Sequence, residues 1–362
     1  MAVVGPYLHD GGMGADGAGE WAALSAEQRG RWTTVLDYLV AAVSGDRPLV
    51  LVDGNDERAA LLADRLAAWL RRDGRRVVRF PGATGRDEET GWQARAAGRV
   101  AVADGSAWRD RVPGDAWDLT VWVRTPPVAG VHGGDRGDDA DAIVDLHDPG
   151  WPVLRHVDPR LFPGDLWYRT ESRAFFGVRA ASWDAKFGDD LPVYARAVAE
   201  AGLLKGGFAV DIGCGTGRAL PALRDAIGPE GAVVGLDHTP QMLAAARDRA
   251  AASGAWLLLA DARRLPFADA MIDALFAAGL VNHLPDLDAG LAELARVTRS
   301  GGRLVLFHPS GRAALAARHG RTLRADEPLA EHVLRAAAAR TGWRVTSYDD
   351  TSHRFHAVAV RG

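Results

Sequence analysis

One cysteine, Cys214, occurs in 362 residues, which excludes an internal disulfide and a Cys-rich zinc site. Lysine is almost as scarce. Only Lys186 and Lys205 are present, so nearly all positive charge is arginine. With so much Ala and Gly, this usage has the look of GC-rich coding and carries no functional weight. No apolar run approaches the roughly 20 residues that a membrane span needs. Met1 to Glu20 is Gly-rich and lacks the basic start and apolar core of a signal peptide. A cytoplasmic location is therefore expected, with residues 1–25 disordered. A large charge of one sign is missing as well. The formal net charge is -4, with acids and bases interspersed, which argues against nucleic acid or an anionic membrane surface as the main partner.

What remains is a soluble globular composition, 48% hydrophobic and 25% charged, at a length natural for two domains. Strands and helices alternate through both halves, which points to two α/β units with mainly parallel sheets. In the first, a helix is expected over Ala26–Val43 and a buried strand over Pro48–Asp53. A helix over Glu57–Arg72 follows, with Leu62, Leu66, Trp69 and Leu70 on one face and Gly74 as its stop. Further strands are expected at Arg76–Phe80, Arg99–Ala103, Leu119–Arg124 and Ala142–Leu146. The Gly- and Asp-rich stretch Ala129–Asp141 reads as a mobile loop. Prolines and turn residues between Pro149 and Asp165 place the boundary there, giving domains of 26–160 and 161–362. The second begins with a helical cap at 172–201. Its last two strands, Trp343–Tyr348 and Arg354–Val360, lie close enough to pair as an antiparallel hairpin.

The most informative segment is Phe208-Ala-Val-Asp211-Ile-Gly213-Cys214-Gly215-Thr216-Gly217-Arg218. An apolar strand runs into three glycines and then a helix, Ala219–Ile227. Glycines are needed where the chain turns tightly and a ligand touches the main chain. The helix start offers N–H groups to a polar ligand. The spacing is G-x-G-x-G, not the dinucleotide G-x-G-x-x-G. Asp211, just before the loop, would repel a pyrophosphate but could receive an amino-acid ammonium. A NAD-dependent dehydrogenase is disfavoured on both counts. A second strand, Ala232–Asp237, ends in an acid at the distance that reaches ribose hydroxyls. Thr239 then reads as an N-cap with Pro240 at the first helical position. A third acid, Asp261, ends the strand Trp256–Ala260 and could accept from an adenine amino group. Any one such acid is commonly a solvated strand-end residue; three in order beside a glycine loop are not so easily dismissed.

The runs Asp211-Ile-Gly-Cys-Gly-Thr-Gly217, Gly235-Leu-Asp237, Ala260-Asp261-Ala262-Arg-Arg-Leu-Pro266-Phe267 and Gly301-Gly-Arg-Leu-Val-Leu306 resemble the ordered motifs of class I S-adenosylmethionine-dependent methyltransferases. The resemblance covers roughly Phe175 to Arg361. It implies a Rossmann-like sheet of seven strands with a reversed final hairpin, and S-adenosyl-L-methionine as cofactor. By the same resemblance Asp211, Gly213, Cys214, Gly215 and Gly217 would hold the methionine part. Asp237 would bind the ribose, Asp261 with Ala262 the adenine edge, and His238 and Gly279 would complete the lining.

Methyl transfer from a sulfonium needs alignment and exclusion of water, and a base where the acceptor is a hydroxyl or an ammonium. Polar residues at the carboxyl ends of the strands are the candidates. His283, in Gly279-Leu-Val-Asn-His283, is placed like the loop histidine that many small-molecule methyltransferases carry beside the methyl group; packing against the loop is at least as common a role. His308, in Phe307-His-Pro-Ser310, is a candidate for substrate contact. His353 and His356 on the last hairpin read as structural. Phe175, Phe176 and Trp183 fit an apolar lid. No metal site is expected. The acceptor is read as a small molecule, an intermediate of secondary metabolism, and a homodimer is compatible with the sequence. The alternative is a non-enzymatic binding or regulatory protein.

In the first half, Leu49-Val-Leu-Val-Asp53-Gly54-Asn55-Asp56-Glu57-Arg58-Ala59-Ala60-Leu61 has the layout of a P-loop. With Val102-Ala-Asp104-Gly105 and Asp141-Ala-Ile-Val-Asp145-Leu-His-Asp148-Pro149, it resembles uridine-kinase-like nucleoside kinases over about Ala26 to Arg160. The phosphate-binding pattern G-x-x-x-x-G-K-[ST] is missing. Ala59, Ala60 and Leu61 stand where Gly, Lys and Ser/Thr belong, and Glu57 would repel a phosphate. A P-loop-like parallel α/β domain without phosphoryl transfer is therefore expected.

Overall fold

The computed structural model describes residues 15–45, 48–82, 96–126, 137, 139–161, 166–318 and 322–362. The chain divides into two units, 1–171 and 172–362. That division lies later than the proline cluster and falls inside the helix Leu166–Gly177. Most of the Ala129–Asp141 stretch and residues 1–14 lie outside the described residues, so neither reading can be followed there.

The first unit opens with α1 (Ala15–Ala23) and α2 (Ala26–Ala42). Disorder as far as residue 25 is thus corrected for 15–25. Trp21 and Leu24 pack against the first core, which compensates the entropy of ordering the segment. Trp21 lies 5.6 Å from Trp69, with the Arg65 guanidinium over its ring at 5.5 Å. A capping box starts α2: Gln28 N donates to Ser25 Oγ, and Ser25 N to Gln28 Oε1. Trp32, Val35, Leu36 and Leu39 then repeat at helical spacing and are fully buried.

The first sheet has six strands, β1 (Leu49–Gly54), β2 (Val77–Phe80), β3 (Val100–Asp104), β4 (Leu119–Arg124), β5 (Ala142–Asp145) and β6 (Val153–Val157), in the order β2-β3-β1-β4-β5-β6. Five are parallel and β6 is antiparallel to β5. Two connecting helices, α3 (Arg58–Arg72) and α4 (Ser106–Arg111), follow β1 and β3. Each expected strand forms, with ends shifted by a residue or so. Arg31 and Glu171 make a buried ion pair at 2.6 Å, with 7% and 1% side-chain exposure. Glu171 also accepts from the Leu154 amide at 2.7 Å.

In the second unit the cap comprises α5 (Leu166–Gly177, whose last residues belong here), α6 (Trp183–Phe187) and α7 (Leu191–Glu200). Beneath it lies a sheet of seven strands, β7 (Phe208–Ile212), β8 (Ala232–Asp237), β9 (Trp256–Leu259), β10 (Ile272–Ala278), β11 (Thr298–His308), β12 (Trp343–Asp350) and β13 (Phe355–Arg361), ordered β12-β13-β11-β10-β7-β8-β9. Only β13 runs against its neighbours, pairing antiparallel with both β11 and β12. The expected reversed hairpin is therefore present, with β13 inserted beside β11. Helices α8 (Leu220–Ile227) and α9 (Pro240–Ala252) follow β7 and β8. Tyr194 of α7 meets Phe307 at 4.9 Å, edge to face, and Phe276 at 6.2 Å, fixing the cap on the sheet. Each fully buried Phe or Leu here is worth roughly 1.5–3 kcal/mol over exposure. Helix α10 (Leu287–Val297) starts at Asp286, whose side chain accepts from the Ala289 amide. Helices α11 (Arg312–Arg318) and α12 (Glu331–Arg340) complete the unit. Among the described residues no helix is long and apolar enough to cross a membrane.

Candidate active site

Parallel strands β7, β8, β10 and β11 all end on one edge of the second sheet. The order of connections reverses between β7 and β10, the place where open α/β sheets bind ligands. β7 delivers Asp211 to that edge, and the loop after it turns through Gly213, Gly215 and Gly217 at φ of 71°, 53° and 79°. A Cβ on Gly217 would also come within 2.8 Å of Leu220 Cδ1. The loop is bound to β8: the Gly213 and Cys214 amides both donate to Leu236 O, at 2.7 and 2.9 Å. Cys214 is buried, and burial pushes its thiol up, away from thiolate chemistry.

Asp211 is 1% exposed, and its Oδ1 finds no hydrogen-bond partner among the described residues. Burial, with a further contribution from Asp237, pushes its carboxyl up to about 8. A buried acid with one oxygen unserved at the mouth of a glycine loop can take a cationic or hydrogen-bond-donating ligand group. Asp237 is partly engaged. Its Oδ2 accepts from the Gly215 amide at 2.9 Å and its Oδ1 from the Thr239 amide at 2.8 Å. Each carboxylate oxygen keeps a lone pair for a further donor such as a ribose hydroxyl.

The expected N-cap role of Thr239 needs correction. Its side chain makes no cap bond, and its Oγ1 is buried without a partner. Thr239 still occupies the N-cap position in extended backbone, with Pro240 as the first helical residue. Asp261 does not present a free edge either. Arg263 binds both its oxygens, Nε to Oδ1 at 3.0 Å and Nη2 to Oδ2 at 2.7 Å. Burial alone would raise its pKa, but the Arg263 bonds outweigh that and leave it lowered. Ala262 beside it is half-buried. His238 is also half-buried; its carbonyl accepts from Arg173 Nε at 2.7 Å and its Nε2 has no partner. Burial lowers its pKa.

Gly279, at φ 70°, ends β10 and donates its amide to Phe307 O. A Cβ there would sit 3.8 Å from His308 Cδ2, so the His308 ring edge flanks this loop. Ser310 N lies 3.0 Å from His308 Nδ1, and Ser310 O 2.9 Å from the same nitrogen. Burial lowers the His308 pKa. Beyond it a small hollow, with room for about one water, is lined by Asn282, His308, Arg312, Leu315, Glu327 and Phe355, among others. His283 occupies the turn Val281–His283, where its ring meets Phe176 of α5 edge to face at 5.2 Å. Phe176 in turn lies 5.7 Å from Trp183 and 5.0 Å from Phe175. The apolar lid residues therefore come together, with His283 packed against them. His356 is buried, with Nε2 3.1 Å from Ala197 O, a packing position.

Residues 210–306 match the family described as "Methyltransferase domain". That segment resembles a methyltransferase domain. Its glycine loop, the three strand-end acids and Gly279 all fall within the matched segment, and the unserved Asp211 oxygen and glycine loop fit S-adenosylmethionine, the cofactor expected for it. Among relatives, a 37.1 kDa protein in transposon TN4556 of Streptomyces fradiae is 39% identical over 105 residues, 29% of this chain and 30% of that one. A demethylmenaquinone methyltransferase of Staphylococcus aureus is 34% identical over 116 residues, 32% of this chain and 48% of that one. The chain thus spans less than half the length of these curated relatives. A solved S-adenosylmethionine-dependent methyltransferase from Aquifex aeolicus is similar at 22% identity, covering 50% of this chain and 98% of that one, with a TM-score of 0.41.

Sequence reasoning missed one group of side chains at the glycine loop. Arg218 is 5% exposed. It donates through Nη1 to Asp184 at 2.9 Å, through Nε to Asp190 at 2.6 Å and through Nη2 to Gly188 O at 2.6 Å. The only local hint was an arginine directly after the third glycine, and its partners are 28 or more residues away.

Proposed function

We propose that the protein transfers a methyl group from S-adenosylmethionine to a small-molecule acceptor, an intermediate of secondary metabolism. The observation that carries this reading is Asp211, a buried acid with an unserved oxygen at the mouth of a positive-φ glycine loop. The bound cofactor supplies the activated methyl carbon. Asp211 would receive the ammonium of the methionine part, Asp237 the ribose hydroxyls, and the Ala262 edge with Gly279 the adenine side. His308 is kept neutral by burial, and with its hydrogen on Nδ1, 2.9 Å from Ser310 O, its Nε2 can accept a proton from an acceptor hydroxyl. Phe176 and Trp183, packed on the His283 side, would exclude water there. Balanced charge supports a small acceptor over nucleic acid.

The first unit is proposed to be a kinase-like fold without phosphoryl transfer. The strand order β2-β3-β1-β4-β5 supports the likeness. The loop argues against activity: β1 ends at Gly54 and α3 begins at Arg58, leaving Asn55, Asp56 and Glu57 between them. The strand-end acids on that edge already have partners, with Asp53 2.9 Å from Arg109 and Asp145 3.2 Å from His147.

The test is incubation of the full chain with S-adenosylmethionine and a panel of small hydroxyl- and amine-bearing acceptors, following S-adenosylhomocysteine. Acceptor-dependent release supports transfer. Tight cofactor binding with no release for any acceptor would favour the non-enzymatic binding protein.

A further inference from the structure

The glycine loop is joined to the cap by a compact group of charges that cofactor contacts alone do not require. Asp184 of α6 collects three donors: Thr216 Oγ1 at 2.6 Å, Arg218 Nη1 at 2.9 Å and Arg249 Nη2 at 2.8 Å. Thr216 and Arg218 bracket Gly217 in the loop, and Arg249 comes from α9. Arg249 Nη1 also donates to Thr216 O at 2.5 Å. On its other side Arg218 holds Asp190 and the Gly188 carbonyl. Gly188 closes α6 at φ 64°, so the short turn into α7 is defined at both ends by one guanidinium.

The charges balance, two arginines against Asp184 and Asp190, and their burial differs. Arg218 has 6% side-chain exposure while Asp184 has 43%. A five-residue helix such as α6 is too short to persist without outside contacts. Its ordering therefore depends on the loop residues that hold it. The same segment carries Trp183, which leans on Phe176, which meets His283. Whatever fixes the loop also fixes the lid above the candidate acceptor side.

We propose that Arg218 is a positioning residue that makes binding of the cofactor at the Gly213–Gly217 loop and ordering of the Trp183–Asp190 lid segment one coupled event. A ligand seated on the loop restrains Thr216 and Arg218, and these hold Asp184, Gly188 and Asp190. By reciprocity, loss of the lid contacts weakens the ligand. The proposal rests on the methyltransferase reading, so its test carries a control for that reading.

The experiment is hydrogen exchange on the full chain, with and without S-adenosylhomocysteine, for wild type, Arg218→Gln, Arg218→Lys and Asp184→Asn. The expected result for wild type is slowed exchange in both the loop and 183–190 on addition of S-adenosylhomocysteine. In Arg218→Gln, saturating ligand still protects the loop but no longer protects 183–190, and its affinity falls about 5- to 50-fold. Asp184→Asn follows the same pattern, and Arg218→Lys restores part of the lid protection. A purely structural role would lower protection in β7 and β10 as well, without ligand. Ligand-induced protection of 183–190 that persists in both Arg218→Gln and Asp184→Asn overturns the coupling. Wild type that shows no protection anywhere and no binding overturns the methyltransferase reading itself.

Discussion

Asp237 stands one strand over from Asp211, donates nothing to it, and by its charge adds to the burial that holds the Asp211 proton to about pH 8. Two acids side by side at strand ends form a site that is strained when empty of positive charge and relieved by an ammonium. That relationship generates the first expectation. In the cofactor-free fold the Asp211 pKa is raised above its unfolded value. The native state then keeps a proton that the unfolded chain releases, and stability falls as pH rises from about 4 toward 8. Asp211→Asn removes that loss. The variant should be more stable than wild type at pH 8 by about 2–4 kcal/mol, measured by urea denaturation without cofactor. Equal stability at pH 8 would show that Asp211 is not buried as a neutral acid.

The two histidines should separate. His283→Ala is expected to leave cofactor affinity nearly unchanged and to lower turnover through loss of the Phe176 contact or of a base. His308→Gln should lower turnover more, about 100-fold or beyond if Nε2 takes the proton. Burial lowers the His308 pKa, so wild-type turnover should not fall as pH drops through 6.5. A loss centred at or above 6.5 would point to another base. Unchanged turnover in either variant removes that residue from the chemistry.

In the first unit, the Arg31–Glu171 pair is buried on both sides. Removing one partner leaves an uncompensated charge, so Arg31→Ala should cost about 3–5 kcal/mol in chemical denaturation. Burial raises the Glu171 pKa despite Arg31, so part of that cost should be recovered at lower pH as Glu171 takes a proton. A cost under about 1 kcal/mol would mean the pair is solvated.

Calorimetry of the full chain with ATP should give no heat up to millimolar concentration. The three residues Asn55–Glu57 cannot form the amide cradle, and no lysine follows them. Millimolar or tighter binding would reverse the reading of the first unit.

The parts legible in the sequence are those whose signals are local. The glycine loop, each acid at the end of its own strand and the final hairpin are each carried by one short continuous stretch of chain, and the apolar runs of β1, β4 and β8 mark buried parallel strands. β6 escaped notice because Val153–Val157 is short and carries Arg155 and His156 toward solvent in an otherwise apolar run. Helix α1 was hidden in a Gly-rich leader whose anchor, Trp21, matters only once Trp69 and Arg65 are beside it. Asp261 looked free because its competitor, Arg263, lies two residues on, where spacing does not reveal a side chain folding back. The Arg218 group was unreadable for the opposite reason. Asp184, Asp190 and Arg249 come from separate elements, and only the fold assembles them.

The most direct test of the account is calorimetric titration of the full chain with S-adenosylmethionine at pH 7, in two buffers of different ionisation enthalpy. Asp211 is protonated before binding and faces an ammonium afterwards, so one-site binding should release close to one proton, with both affinity and proton release diminished in Asp211→Asn. A folded wild-type protein that binds no S-adenosylmethionine, or an Asp211→Asn variant that binds as tightly with the same proton count, would contradict it.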